Sequence, residues 1–248
     1  MEPSPPRSYL SRISTPWTLV RRAHGGADDC AADAQRLLLQ RYCGAAYRYL
    51  RGSLRDDNAA LDLLQEFVLR FLRGDFRRAS PRSGRFRDYL KAALFHLVTD
   101  FHREQRAQPR PLPGDIDERA VTPDEETEEE ATFLRSWREE LINRTWVALS
   151  EARPTYHAVL VFHVENPELP SARAAEQLTA SLGKPLSAAH VRVTLQRARK
   201  RFAELLLDEV AHSLGACTEV ELVQELHALR ILKLCAPALE RRRARLTG

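Results

Sequence analysis

The sequence predicts an all-α chain: two small helical domains joined by an acidic linker. Apolar residues recur at steps of three and four through successive segments, which is the spacing of one helix face. Glycine and proline punctuate those segments. Charge is segregated, because Asp115 to Glu130 holds nine acids against Arg119, a net of −8, whereas Lys184 to Arg201 holds six cations and no anion. The formal charge of +4 over 248 residues and the pI of about 9.0 average over that alternation. Basic segments on either side of an acidic connector suggest two modules that face nucleic acid.

Residues 1–27 carry Pro3, Pro5, Pro6, Pro16, Gly25 and Gly26, which predicts a loose arm with at most one short helix around Trp17 to Ala23. A first domain is expected over 28–108. Its first helix should span Ala31 to Arg51, with Leu37, Leu38, Tyr42, Ala46, Tyr49 and Leu50 on the periodic face and Gly52 and Ser53 ending it. A second helix is expected from Asp57 to Arg73, started by Asp57 and Asn58, whose side chains accept from first-turn amides. Leu61, Leu64, Val68, Phe71 and Leu72 are its expected buried stripe, and Asp62, Gln65 and Glu66 its exposed edge.

Gly74 to Gly84 is a basic loop with Phe76, Arg77, Arg78 and Arg82. The third helix, Arg85 to Arg106, should bury Phe86, Leu90, Ala93, Leu94, Leu97 and Phe101. Around that face stand Arg82, Arg85, Arg87, Lys91, Arg103 and Arg106 with Tyr89, Phe95 and His102. Arginine interleaved with aromatics suits single-stranded nucleic acid, since phosphates need charge and unstacked bases need flat partners. An ordinary amphipathic helix with solvated arginines shows the same pattern.

An acidic linker is expected over 109–132 and a second domain over 133–212. Within it a short helix, a turn at Gly183 and a long basic helix follow one another. Ala174, Ala175 and Leu178 are small and apolar enough for close helix crossing. On the long helix Val191, Leu195, Ala198, Phe202, Leu205 and Leu206 form a core stripe. Arg192, Gln196, Arg197 and Lys200 fall toward the open side, flanked by Arg199 and Arg201. Arginine reads guanine edges and glutamine reads adenine in a DNA major groove, although a solvated surface helix carries such charges too. Residues 213–248 form an extension in which Val220, Leu222, Val223, Leu226, Leu229, Leu232 and Leu234 suffice for a helical hairpin. It packs back on the preceding domain or receives a partner; Arg241, Arg242, Arg243 and Arg245 add DNA affinity or form a charged tail.

The segments Asp62 to Leu72 and Gly84 to Glu104 resemble region 2 of the extracytoplasmic-function sigma factors of bacterial RNA polymerase. Asp62, Leu63, Gln65, Glu66 and Phe67 match that family's D-L-x-Q-E and aromatic pattern. Phe86, Leu90, Asp100 and Arg103 match its next helix, with Tyr89 in place of a tryptophan and His96 in place of an asparagine. Arg173 to Leu207 is similar to region 4, with Val191 matching the usual valine, His190 where threonine is common, Arg192 for a lysine, and Arg197, Ala198 and Arg199 as the frequent R-A-R. Between Leu178 and His190 the chain is a few residues longer than the usual pattern.

The resemblance implies a promoter-specificity subunit, not an enzyme. It implies that Asp62, Gln65 and Glu66 bind clamp helices of the polymerase's largest subunit, and that the partner is core polymerase through those clamp helices and its flap. Phe76 would stack on a base flipped from the −10 element, with Arg77, Arg78 and Arg82 on phosphates and Tyr89, Phe95, His102, Arg103 and Arg106 along the same strand. Asp100 would brace Arg103. His190, Arg192, Gln196, Arg197 and Lys200 would meet the −35 element. The acidic linker either threads the polymerase or solubilises the chain, and the extension would receive an anti-sigma factor or sensor if it does not pack back.

Other classes are disfavoured by residue pattern. Cys30, Cys43, Cys217 and Cys235 lack metal or disulfide spacing, so no zinc or other metal, no cofactor and a reducing cytoplasm are expected. No carboxylate cluster, glycine-rich phosphate loop or nucleophile–base arrangement suggests catalysis. No run of about 18 apolar residues or signal-peptide core occurs, which predicts a soluble, intracellular protein with no membrane partner. The competing function is a helix-turn-helix regulator that never meets polymerase.

Overall fold

The computed structural model describes residues 20, 22–23, 29–74, 85–107, 123–183, 185–215 and 217–246. Among them every regular element is an α-helix. Val20, Arg22 and Ala23 are helical, and the rest of the arm, the 75–84 loop and the 108–122 stretch lie outside the described residues. The chain divides into two compact units, Met1–Glu140 with His212–Thr218 and Leu141–Ala211 with Glu219–Gly248.

The first unit begins with α1 (Asp29–Leu54), which buries Leu38, Tyr42, Ala46, Tyr49 and Leu50, while Leu37 stays 36% exposed. Gly52 and Ser53 do not end it. The helix runs on to Leu54, and Arg55 takes the left-handed conformation beyond it, at φ 54°. Gly52 serves close packing instead: a Cβ there would lie 2.9 Å from Thr132 Cγ2 of α4 (Pro123–Ala152), and one on Gly44 would lie 2.5 Å from Glu140 Oε2. Glycine at 52 leaves room for the Thr132 methyl, and a side chain at 44 would displace the Glu140 carboxylate.

Helix α2 (Asp57–Arg73) has the expected bounds but a different cap and a different inner face. Asp56 is the N-cap, its carboxylate accepting from Asn58 N at 2.9 Å and Ala59 N at 3.1 Å, and Gly74 closes the helix at φ 87°. The buried residues are Ala60, Leu63, Phe67 and Phe71; Leu61 and Leu72, expected inside, are 46% and 43% exposed. The helix is turned so that its two phenylalanines enter the core. Helix α3 (Phe86–Ala107) buries Phe86, Leu90, Leu94, Leu97 and Val98.

The core of this unit is aromatic. Trp137 of α4 stacks on Tyr42 with ring centroids 5.5 Å apart and planes at 2°, Phe133 packs on Trp137 at 6.2 Å, and Tyr42 meets Phe86 at 4.7 Å. Tyr49 completes the row edge-on to Phe133 at 5.6 Å. These contacts correct two boundaries. The acidic linker does not extend to 132, because 123–132 are the first turns of α4, where proline and acids are favoured at a helix N-terminus. A second domain does not begin at 133, because Phe133 and Trp137 belong to the first core.

The second unit contains α5 (Pro154–Glu165), α6 (Ser171–Leu182), α7 (Ala188–Leu214), α8 (Glu219–Ala228) and α9 (Leu232–Leu246). Val159, Ala174, Ala175, Leu178 and Val191 form one buried cluster, with Phe162, Leu169, Leu186 and Leu195 packed against it. Ala174, Ala175 and Leu178 thus have the role their size predicts. Trp146 meets Phe202 at 4.6 Å, and Arg144 pairs with the buried Glu209. The 213–248 extension is not separate: α8 and α9 form the expected hairpin, and Arg241 of α9 bonds Glu204 of α7 at 3.2 Å. Arg230 makes the bend between them at φ 56°, with Ile231 N donating to Leu226 O and Arg230 N to His227 O, a Schellman closure. Arg243 bonds Glu219 at 2.6 Å, so the terminal arginines belong to an ordered helix rather than to a frayed end.

Candidate nucleic-acid interface

The turn between α6 and α7 is held by specific polar contacts. Gly183 takes φ 64° and donates its N–H to Thr179 O at 3.0 Å, and Leu186 N donates to the Thr179 hydroxyl at 2.9 Å. Ser187 then caps α7: its hydroxyl accepts from His190 N at 3.1 Å and its carbonyl from Val191 N at 3.0 Å. The α7 core stripe is as expected, with Val191, Ala198, Phe202, Leu205 and Leu206 buried, and Thr194 joins it at 6% exposure.

The opposite face is open. His190, Arg192, Gln196, Arg197 and Lys200 are all exposed. Among the described residues no acid pairs with Arg192, Arg197 or Lys200. The flanking cations differ, since Arg199 Nη2 lies 2.6 Å from His163 Nε2 of α5 and Arg201 reaches Glu204 at 3.5 Å. Val193, overlooked in the residue pattern, sits 46% exposed between Arg197 and Gln196 on this face. Its signal was available, because it breaks the three-and-four spacing of the core stripe. A methyl-bearing side chain among guanidinium and amide donors is suited to a thymine methyl group.

No family model matches this chain, and no curated protein or solved structure is similar enough to count as a match. The chemistry therefore rests on the side chains themselves.

On α3 the expected single-strand surface separates into two lines. Phe95, His102 and Arg106 fall within about 40° of one another at 100° per residue, facing away from the core. His102 and Arg106 are exposed and Phe95 is half-buried. Tyr89 lies about 120° round the helix from Phe95. It packs beside Phe86 at 6.5 Å and lines an apolar pocket with Tyr42, Phe67 and Phe71. Asp100 does brace Arg103, at 2.9 Å, and leaves the arginine side chain 77% exposed. Phe76, Arg77, Arg78 and Arg82 lie outside the described residues.

The outward face of α2 carries Asp62 and Gln65, both exposed, among Leu61, Leu69 and Leu72, which are 46%, 44% and 43% exposed. Glu66 is bound to Arg70 at 2.7 Å and is partly neutralised there. Three leucines on one solvent-facing side are more than isolated exposure explains. Among the described residues no group of three or more metal-ligating side chains occurs, and no helix is long and apolar enough to cross a membrane.

Proposed function

We propose that this chain is a sigma-type promoter-specificity subunit that binds core RNA polymerase and directs it to −10 and −35 elements. The observation that carries the reading is the face of α7: a capped helix on a tight turn, presenting Arg192, Val193, Gln196, Arg197 and Lys200, with no ion pair to Arg192, Arg197 or Lys200 among the described residues. Cations left without acidic neighbours favour a polyanion, and an amide among them supplies base-edge hydrogen bonding. In this reading α6 and α7 are a helix-turn-helix, with Arg197 and Gln196 on bases and Lys200 on phosphate.

The first unit supplies the remaining functions. Leu61, Leu69 and Leu72 form an exposed apolar patch with Gln65 among them and Asp62 at its edge, an apolar centre with a polar rim that suits docking on another protein's helices, here the clamp helices of core polymerase. Phe95, His102 and Arg106 combine stacking surfaces and charge along one line of α3, as melted −10 DNA requires. Catalysis belongs to the polymerase in this scheme, and the chain needs neither metal nor cofactor.

Run-off transcription with purified core polymerase and upstream regions of the source genome tests the proposal. Start sites that appear only with this chain are the expected result. Duplex binding without polymerase binding or initiation would refute the subunit role and leave a stand-alone regulator.

A further inference from the structure

We infer that the groove between α7 and α9 is a second phosphate-binding site, which holds the backbone of duplex DNA beside the segment read by α7. It deepens the nucleic-acid reading of α7 proposed above and rests on it. The groove has a volume of about 270 Å³ and is lined by Arg201, Glu204 and Asp208 of α7 and by Arg241, Arg242 and Arg245 of α9 over a floor of Leu207 and Ala238. Four arginines outnumber two acids. Glu204 is shared between Arg201 at 3.5 Å and Arg241 at 3.2 Å, so its charge is already answered.

What remains is cationic and poorly satisfied. Arg241 Nη2 is buried and has no hydrogen-bond acceptor among the described residues, although Nε of the same guanidinium is engaged. Arg242 and Arg245 are exposed, and among the described residues neither forms an ion pair. The exposed guanidinium groups of Arg242 and Arg245, carried on an ordered helix with their donors left over, are suited to bidentate contact with phosphate oxygens.

Position identifies the phosphate as that of duplex DNA. Arg197, Arg201, Glu204 and Asp208 follow one another at steps of four, three and four along one flank of α7. Arg201 therefore lies about 6 Å beyond Arg197 along the helix axis. The major groove is about 12 Å wide, so a helix reading bases with Arg197 brings Arg201 and the α9 arginines toward the phosphates at its rim. The α8–α9 hairpin thereby widens the footprint on DNA without adding sequence preference.

The test uses the full-length chain and fluorescence anisotropy on a scrambled-sequence duplex at several salt concentrations. Arg242→Gln with Arg245→Gln should flatten the log Kd against log salt slope by up to about 2, since each lost phosphate contact removes about 0.9. Arg242→Lys with Arg245→Lys should restore most of the slope, and circular dichroism should show both variants folded, since both side chains are exposed. A wild-type slope in the glutamine variant would overturn the inference. So would inorganic tripolyphosphate that binds wild type better than the glutamine variant while the duplex binds both alike, which would make the groove a site for free polyphosphate. Co-purification with core polymerase is read separately: loss of the groove leaves it intact, and its failure leaves the salt slope measurable.

Discussion

Trp137 lies flat against Tyr42 of α1 and also packs on Phe133, at 1% exposure. Trp137→Ala should destabilise the chain by about 3–5 kcal/mol, read from the urea midpoint, because a ring of that size leaves a cavity that two flanking aromatics cannot fill. A loss below about 1 kcal/mol would mean that the stack carries little of the core. On α7 the cations divide by their neighbours. Arg197 has no acidic partner among the described residues, whereas Arg199 is held against His163. Arg197→Ala should therefore cost about 1–3 kcal/mol on the preferred −35 sequence and less on others, while Arg199→Ala should change binding little. Equal losses on all sequences would make Arg197 a phosphate contact. The Arg197 position was legible from helical periodicity, but the Arg199–His163 contact joins residues 36 apart, and nothing in local spacing announces it.

Helix α2 shows why periodicity alone misplaced a face. Leu61, Leu69 and Leu72 lie on one side and Ala60, Leu63, Phe67 and Phe71 on the other, so apolar residues occur at helical spacing on both. Spacing identifies a stripe without saying which stripe meets the core. Packing decides, because Phe67 and Phe71 bury more surface than the leucines. The exposed leucines lead to a prediction for the whole helix. Leu69→Glu should leave stability within about 0.5 kcal/mol, as expected for a surface change, yet abolish co-purification with core polymerase. Retained co-purification would remove α2 from the docking surface. Gly52 teaches the same lesson in α1: glycine reads as a terminator, but here it is a contact point for Thr132 of α4.

Across the whole molecule, alkaline pH should be destabilising in both units. Burial pushes the Tyr49 hydroxyl up to about 12 from 10.0, with Glu129 adding to the rise and Ser53 opposing it. Burial alone pushes the Cys235 thiol up to about 12 from 9.0. Both groups are neutral when protonated, so the unfolded chain deprotonates first. Their contribution is full below about pH 9 and is lost as pH rises toward 12. The denaturation midpoint should hold at pH 8 and fall steadily between pH 9 and 12; a flat profile would place neither group in a dry core. By itself the sequence determined the all-helical class, the bounds of α2, the α8–α9 hairpin and the two faces of α7, because each follows from spacing along one segment. Only the tertiary structure decided where the domains divide, which face of α2 is inside, and that the terminal arginines line a groove with α7. Those outcomes depend on which distant surfaces meet, as Trp137 meets Tyr42 and Arg241 meets Glu204. The free energy of such contacts belongs to pairs of segments and leaves no periodic mark on either one.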